Sequence, residues 1–205
     1  MIQLNDQPLS FFQPTTQFRE LILLNEIESN PRITQSQLAR EAGIVPAMVN
    51  NYIKSFLKNN LISVEGNNRA MQYTLTPEGA KYKMDLLLSY FRETVYLYKN
   101  VKEEIKSKLN SYKEENIETI VIYGARETAE ITLKAADELG IEVLGVVDGD
   151  LSQQGKGFFG RVIELPSRIE DYMPDAVVIS SSGFQDEIYA NIKNYEQMGI
   201  KIRKL

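Results

Sequence analysis

The chain reads as a two-domain α/β protein. Three patterns predict this. Helical periodicity followed by strand alternation runs to about residue 76, and an uninterrupted helical pattern extends from Pro77 to about Lys113. From Asn116 onward, short β-rich runs alternate with helices. The domains expected are residues 1–76, a linking and dimerising helix at 77–115, and residues 116–205 folded around a small, doubly wound parallel sheet.

Residues 1–15 form an irregular arm around Phe11 and Phe12, which pack on a neighbouring helix or swap onto a partner subunit. Thr16–Ser29 is amphipathic, with Phe18, Leu21, Ile22, Leu24 and Ile27 at helical intervals, and Asn30-Pro31 ends it. Thr34 and Gln37 have the T-x-x-Q spacing of a capping box and start the next helix. Gly43 follows where a tight inter-helix turn needs a residue free to take positive φ. Ile44 and Val45 are expected to plug that turn into the core. Pro46 opens a further helix at a position that needs no N–H donor. On it, Val49, Ile53, Phe56 and Leu57 should face inward. The opposite face carries Ala47, Met48, Asn50, Asn51, Lys54 and Lys58. LISVE and MQYTL then alternate as two strands around the polar tip Gly66-Asn67-Asn68-Arg69.

The net charge of −5 is unevenly placed. Residues 116–205 hold 9 Lys+Arg against 15 Asp+Glu, and residues 1–115 hold 14 against 13. Between Asn30 and Thr76 there are five basic residues and two acidic ones, so the positive field is local to the turn, helix and ribbon. The absence of cysteine excludes disulfides and thiolate metal sites. With no histidine, zinc catalysis and imidazole acid–base chemistry are excluded too. No run of apolar residues is long enough to span a bilayer, and the N-terminus lacks a secretion pattern, so a cytoplasmic protein is expected.

Residues 16–80 resemble winged helix-turn-helix transcriptional regulators of the MarR-like type. The resemblance lies in Leu38-Ala39, Gly43-Ile44, Val49-Asn50, Tyr52-Ile53, Leu57, Leu61-Ile62 and Leu75-Thr76-Pro77-Glu78-Gly79. It implies double-stranded DNA as partner, with the helix Pro46–Lys58 in the major groove. Asn50 and Asn51 would then bond base edges, and Ala47 and Met48 would touch thymine methyls. Gln35, Ser36, Lys54 and Lys58 would hold phosphates, and Arg69 would reach the backbone or minor groove.

After Pro77, Met84, Phe91, Tyr98, Ile105 and Tyr112 fall every seven residues in a stretch without internal glycine or proline. A helix of that length is a rod of roughly 54 Å. Its heptad seam predicts a homodimer through residues 77–113, against the alternative of two helices broken near Lys99-Asn100.

In the last domain, Ile120–Tyr123 leads into Gly124-Ala125-Arg126-Glu127-Thr128, a strand, a glycine turn and a helix start whose free N–H groups suit phosphate. Arg126 stands where the dinucleotide fingerprint has its central glycine, so it either binds the phosphate itself or blocks the site. Asp148, at the end of the second strand, is placed for a ribose. Ser180, Ser181 and Gly183 frame the facing loop. VIYGARETAE, GVVDGDLSQQGKGFFGRVI and PDAVVISSSGFQDEI are similar to the small Rossmann-like module that begins bacterial polysaccharide-biosynthesis dehydratases and related nucleotide- or CoA-binding proteins. Joined to a winged helix, it is also similar to redox-sensing repressors of the Rex type. The resemblance implies NAD(P), CoA or a nucleotide-sugar as ligand. Tyr189 and Lys193 have the Y-x-x-x-K spacing of short-chain dehydrogenases, but the domain ends about twelve residues later without a substrate-binding extension. They are read as helix surface, and no catalytic residue is expected. The whole reads as a dimeric, DNA-binding transcriptional regulator with a Rossmann-like sensor domain, tied by resemblance to polysaccharide genes. The alternatives are a nucleotide-sugar-modifying enzyme and a structural module making only protein contacts.

Overall fold

The computed structural model describes residues 14–66, 71–181 and 183–205. The chain divides into two compact units, Met1–Val95 and Tyr96–Leu205. The arm with Phe11 and Phe12, and the tip residue Arg69, lie outside the described residues.

In the first unit, α1 (Thr16–Ser29), α2 (Gln35–Glu41) and α3 (Pro46–Lys58) precede an antiparallel ribbon of β1 (Ile62–Glu65) and β2 (Gln72–Leu75). Thr15 caps α1 by accepting from the Phe18 N–H. Thr34 and Gln37 close the expected capping box on α2, and Gly43 takes φ +63° in the turn. Leu23, Leu24, Ile27, Leu38, Val49, Ile53, Phe56 and Tyr73 meet in one core, and the Tyr73 N–H donates to Pro31 O at 2.8 Å, tying the ribbon to the end of α1. Two inward expectations fail. Leu57 is 43% exposed because Phe56, one position round the helix, fills the core. Val45 is 59% exposed, while Ile44 alone packs beneath the turn.

The helix α4 (Pro77–Glu114) follows. Thr76 starts it by accepting from the Gly79 N–H at 2.9 Å, and the same hydroxyl donates to Asn60 O at 2.5 Å. In the first unit its Leu86 is buried, with Tyr82, Leu87 and Tyr90 packed around it, and the Tyr82 hydroxyl donates to Glu20 at 2.7 Å. Burial, reinforced by that carboxylate, pushes the Tyr82 phenol up to about 12. Of the heptad positions, Met84 and Phe91 are exposed and Tyr98 is half-buried. In the second unit Ile105, Leu109 and Tyr112 are buried in that unit's own core, and Tyr98 lies under Lys134, 5.7 Å from its ring centroid. The exposed apolar residues of α4 are Met84, Leu88, Phe91, Val95, Tyr96, Leu97 and Val101.

The second unit contains β3 (Thr119–Tyr123), α5 (Glu127–Leu139), β4 (Glu142–Val147), β5 (Gly157–Phe158), β6 (Arg161–Glu164), α6 (Ile169–Tyr172), β7 (Ala176–Ile179), α7 (Gln185–Ile192) and β8 (Lys201–Lys204). The sheet order is β5-β6-β4-β3-β7-β8. All neighbours run parallel except β5 with β6, so the sheet is mixed rather than wholly parallel. Side chains alternate as a strand buried on both faces requires. Ile120, Ile122, Ala176 and Val178 join α5 and the end of α4 in one core, and Val121, Tyr123, Val177 and Ile179 join α6 and α7 in the other. The β3–β4 register shifts by one residue at Leu144, which has no partner on β3, and a Cβ on the next residue, Gly145, would lie 2.6 Å from the Tyr172 ring.

Lys102 and Lys106 of α4 both donate to Glu138 of α5, at 2.6 and 2.9 Å, and hold its carboxyl down to about 2. A depressed carboxyl stabilises the fold above its ordinary range near 4.5, and that contribution disappears as pH falls toward about 2. Glu138→Gln is therefore expected to flatten the acid side of this unit's stability curve in that window, read by chemical denaturation at stepped pH. An unchanged slope would show that the exposed pair contributes nothing.

Candidate nucleic-acid interface

The face of α3 turned away from the core is built by spacing alone. At about 100° per residue, Ala47, Asn51, Lys54 and Lys58 fall in one outward stripe, opposite buried Val49, Ile53 and Phe56. All four are exposed. Asn50 and Met48 flank the stripe on its two sides, and Asn50 is half-buried where Asn51 is open. Among the described residues, the side chains of Asn50, Asn51, Lys54 and Lys58 meet no hydrogen-bond or ion-pair partner. An amide left in that state is available to a base edge, and two lysines a turn apart suit phosphates. Pro46 sits exposed at the first turn of α3, while Gln35 (half-buried) and Ser36 (exposed) lie in the first turn of α2. Val45 was missed as an outward residue. The signal in the sequence is an apolar residue at an N-cap, a position better served by Ser, Thr, Asp or Asn.

The second candidate site lies at the carboxyl ends of β3, β4 and β7. Here the structure does bring Gly124, Ala125, Asp148 and Ser180 together, but their polar groups are spent on one another. Asp148 accepts from the Ala125 N–H at 2.9 Å and from the Asp150 N–H at 2.8 Å. Ser180 Oγ bonds the Tyr123 carbonyl at 3.0 Å and lies 3.3 Å from that of Gly124. Gly124 has φ +104°, and a Cβ there would stand 3.0 Å from Ser180 Oγ. Arg126 is exposed at the N-cap of α5, with Glu127 exposed and Thr128 half-buried in the turn after it. The Thr128 carbonyl accepts from Thr132, and Ser181 and Gly183 border the facing loop, half-buried and exposed. Hydrogen bonds from Ser152 hold the Asp150 carboxyl low, and the charge of Arg126 adds to the effect. An incoming phosphate would have to displace the Asp148 carboxylate from the Ala125 amide. Tyr189 bonds Glu196 and lies under Lys204, not beside a catalytic partner. Among the described residues no cluster of metal-ligating side chains is present. No helix of that set is long and apolar enough to cross a membrane.

Residues 19–63 match the family described as winged helix-turn-helix DNA-binding. The N-terminal unit holds a winged helix-turn-helix of the DNA-binding kind. Residues 116–205 match a second family, described as C2185-like, N-terminal. No curated protein matches the chain. Among solved structures, Sso10a-2, a DNA-binding protein from Sulfolobus solfataricus, is 20% identical with a TM-score of 0.37, over 44% of this chain and 94% of that one. The MarR family protein Rv2887 of Mycobacterium tuberculosis, in complex with salicylic acid, is 15% identical with a TM-score of 0.37, over 47% and 74%. The multiple antibiotic-resistance repressor of Listeria monocytogenes is 15% identical with a TM-score of 0.33, over 48% and 71%.

Proposed function

We propose that the protein is a dimeric, MarR-like transcriptional regulator that binds double-stranded DNA through α3. The outward stripe Ala47-Asn51-Lys54-Lys58 carries this reading, because its amide and two lysines, which meet no partner among the described residues, stand exposed on the helix that follows the turn. Dimerisation is supported by the large apolar residues left open on the first-unit part of α4, Phe91 at 52% and Val95 at 51% exposure. Two copies double a modest positive field and read two half-sites.

Selection from random duplexes tests the reading. A two-fold symmetric site should emerge, with half-sites about one helical turn or a multiple of it apart. Lys54→Ala should weaken binding to all sequences alike and lower the salt slope by about one unit. Recovery of no duplex would select the alternative of a protein-contact module.

A nucleotide-like ligand in the second unit is supported by strand order. The chain leaves β3 toward β4 on one side and returns to β7 on the other, and such crossings are where α/β sheets hold ligands. NAD(P), CoA or a nucleotide-sugar would meet Arg126 by its phosphate, with Asp148 released toward the sugar. Calorimetry with these compounds should give heat that Arg126→Ala removes; absence of heat from all of them favours the self-bonded crevice as a structural feature. A role in polysaccharide gene control has only the sequence resemblance behind it.

A further inference from the structure

Val45 does nothing for the fold that another residue would not do better. It occupies the N-cap of α3 with extended backbone, φ −84° and ψ 151°, and makes no side-chain cap bond. The neighbouring α1 and α2 are both capped by threonine in the same backbone region. The Met48 N–H donates to the Val45 carbonyl at 2.9 Å, and Pro46 has no N–H, so a hydroxyl at position 45 would take the remaining first-turn amide, that of Ala47. Nor does Val45 pack: Ile44 fills the space beneath the turn, and Val45 is 59% exposed. Beside it on the leading turn of α3 stand two further exposed apolar side chains, Ala47 and Met48, the latter at 38%.

We propose that Val45 is a specificity-determining residue that reads a thymine methyl in the major groove. This rests on the DNA-binding reading above. The N-terminal turn of a recognition helix meets base edges, and on those edges the C5-methyl of thymine is the apolar group an exposed valine can cover. Asn51 and the lysines hold the polar part of the site, and Val45, with Ala47 and Met48, covers its apolar border. The half-site therefore carries a required thymine at the edge facing the start of α3.

The test uses the full-length protein and the duplex obtained by selection, with each thymine replaced singly by deoxyuridine, which lacks only the methyl. The position facing Val45 in each half-site should weaken by about fourfold, the worth of a methyl-sized group withdrawn from water. Val45→Ser removes both valine methyls and supplies a cap hydroxyl. It should erase the thymine-over-uracil preference at that one position and keep the preferences elsewhere, while raising the melting temperature of the N-terminal unit. A Val45→Ser protein that keeps the full preference overturns the proposal, as does a duplex indifferent to every uracil. A lowered melting temperature would return Val45 to a packing role and overturn it as well. Failure to bind any duplex is a separate outcome, which removes the DNA-binding reading and this proposal with it.

Discussion

Gly79→Ala should unfold the N-terminal unit under conditions where the C-terminal unit stays folded. Taken locally, the change ought to help. Gly79 lies in the first turn of α4, and alanine in a helix is favoured over glycine by up to about 1 kcal/mol. The tertiary contact decides the sign. A Cβ at residue 79 would sit 1.8 Å from the carbonyl oxygen of Leu61 and 2.7 Å from its carbonyl carbon. Backbone cannot rotate out of the way as a side chain can. The Leu61 carbonyl is moreover held in place, accepting from the Thr76 N–H at 3.1 Å, while the Leu61 N–H donates to Phe56 O at 2.8 Å. Relief would require separating the start of α4 from the end of α3, breaking the Thr76 bonds to Gly79 and Asn60. The expected loss is at least about 3 kcal/mol, the upper range for forcing volume into a packed site. Urea unfolding followed separately in each unit checks it. Gly43→Ala is the control. That residue has φ +63° but open space around it, so only the backbone penalty of about 1 kcal/mol should appear. Equal effects from the two changes would mean that the approach of Gly79 to Leu61 is not real.

That pair also shows what a sequence can carry. The capping box at Thr34 and Gln37, the positive φ of Gly43 and the Pro46 start of α3 are local chemistry, readable within four or five residues, and all are present. Thr76-Pro77-Glu78-Gly79 is readable as a helix restart, but the reason for its glycine lies 18 residues upstream in space-filling contact. Phe56 and Leu57 cannot be separated by periodicity, since both recur at helical intervals from Ile53, and only the shape of the core chooses Phe56. Only the first part of the α4 heptad, Met84 and Phe91, is left open, for a related reason. An apolar stripe states that something must cover it, not what: Ile105, Leu109 and Tyr112 are covered by their own unit's α5 and sheet. The two-residue strand β5 is too short to register any alternation, which hid the antiparallel edge. Asp148 was legible as a strand-end carboxylate, whereas its bonds to the Ala125 and Asp150 amides depend on how two loops meet.

Asn51→Ala should give the largest loss of DNA affinity among single changes on α3. The exposed stripe centres on this residue, with Ala47 one turn before it and Lys54 about one turn after. A carboxamide offers one donor and one acceptor in a plane, matching N6 and N7 of adenine, and such a bidentate pair discriminates by about 1–3 kcal/mol. Loss of the pair therefore predicts roughly 5- to 150-fold weaker binding to the selected site and a relaxed preference at one base pair. Asn50→Ala should cost less, because its side chain is half-buried at the flank of the stripe, about 100° round the helix from Asn51. Asn51→Asp sharpens the test. Aspartate keeps the shape but only accepts, so preference should move from adenine toward cytosine, whose N4 donates, while affinity falls for every sequence through repulsion from the phosphates. Neither alanine change should lower thermal stability, since alanine is the better helix former and, among the described residues, the side chains have no partner to lose. Competition binding across all single-base variants of the selected duplex measures each effect. Unchanged preference in both Asn51 variants, with folding intact, would move the reading surface off this stripe and leave α3 a packing element.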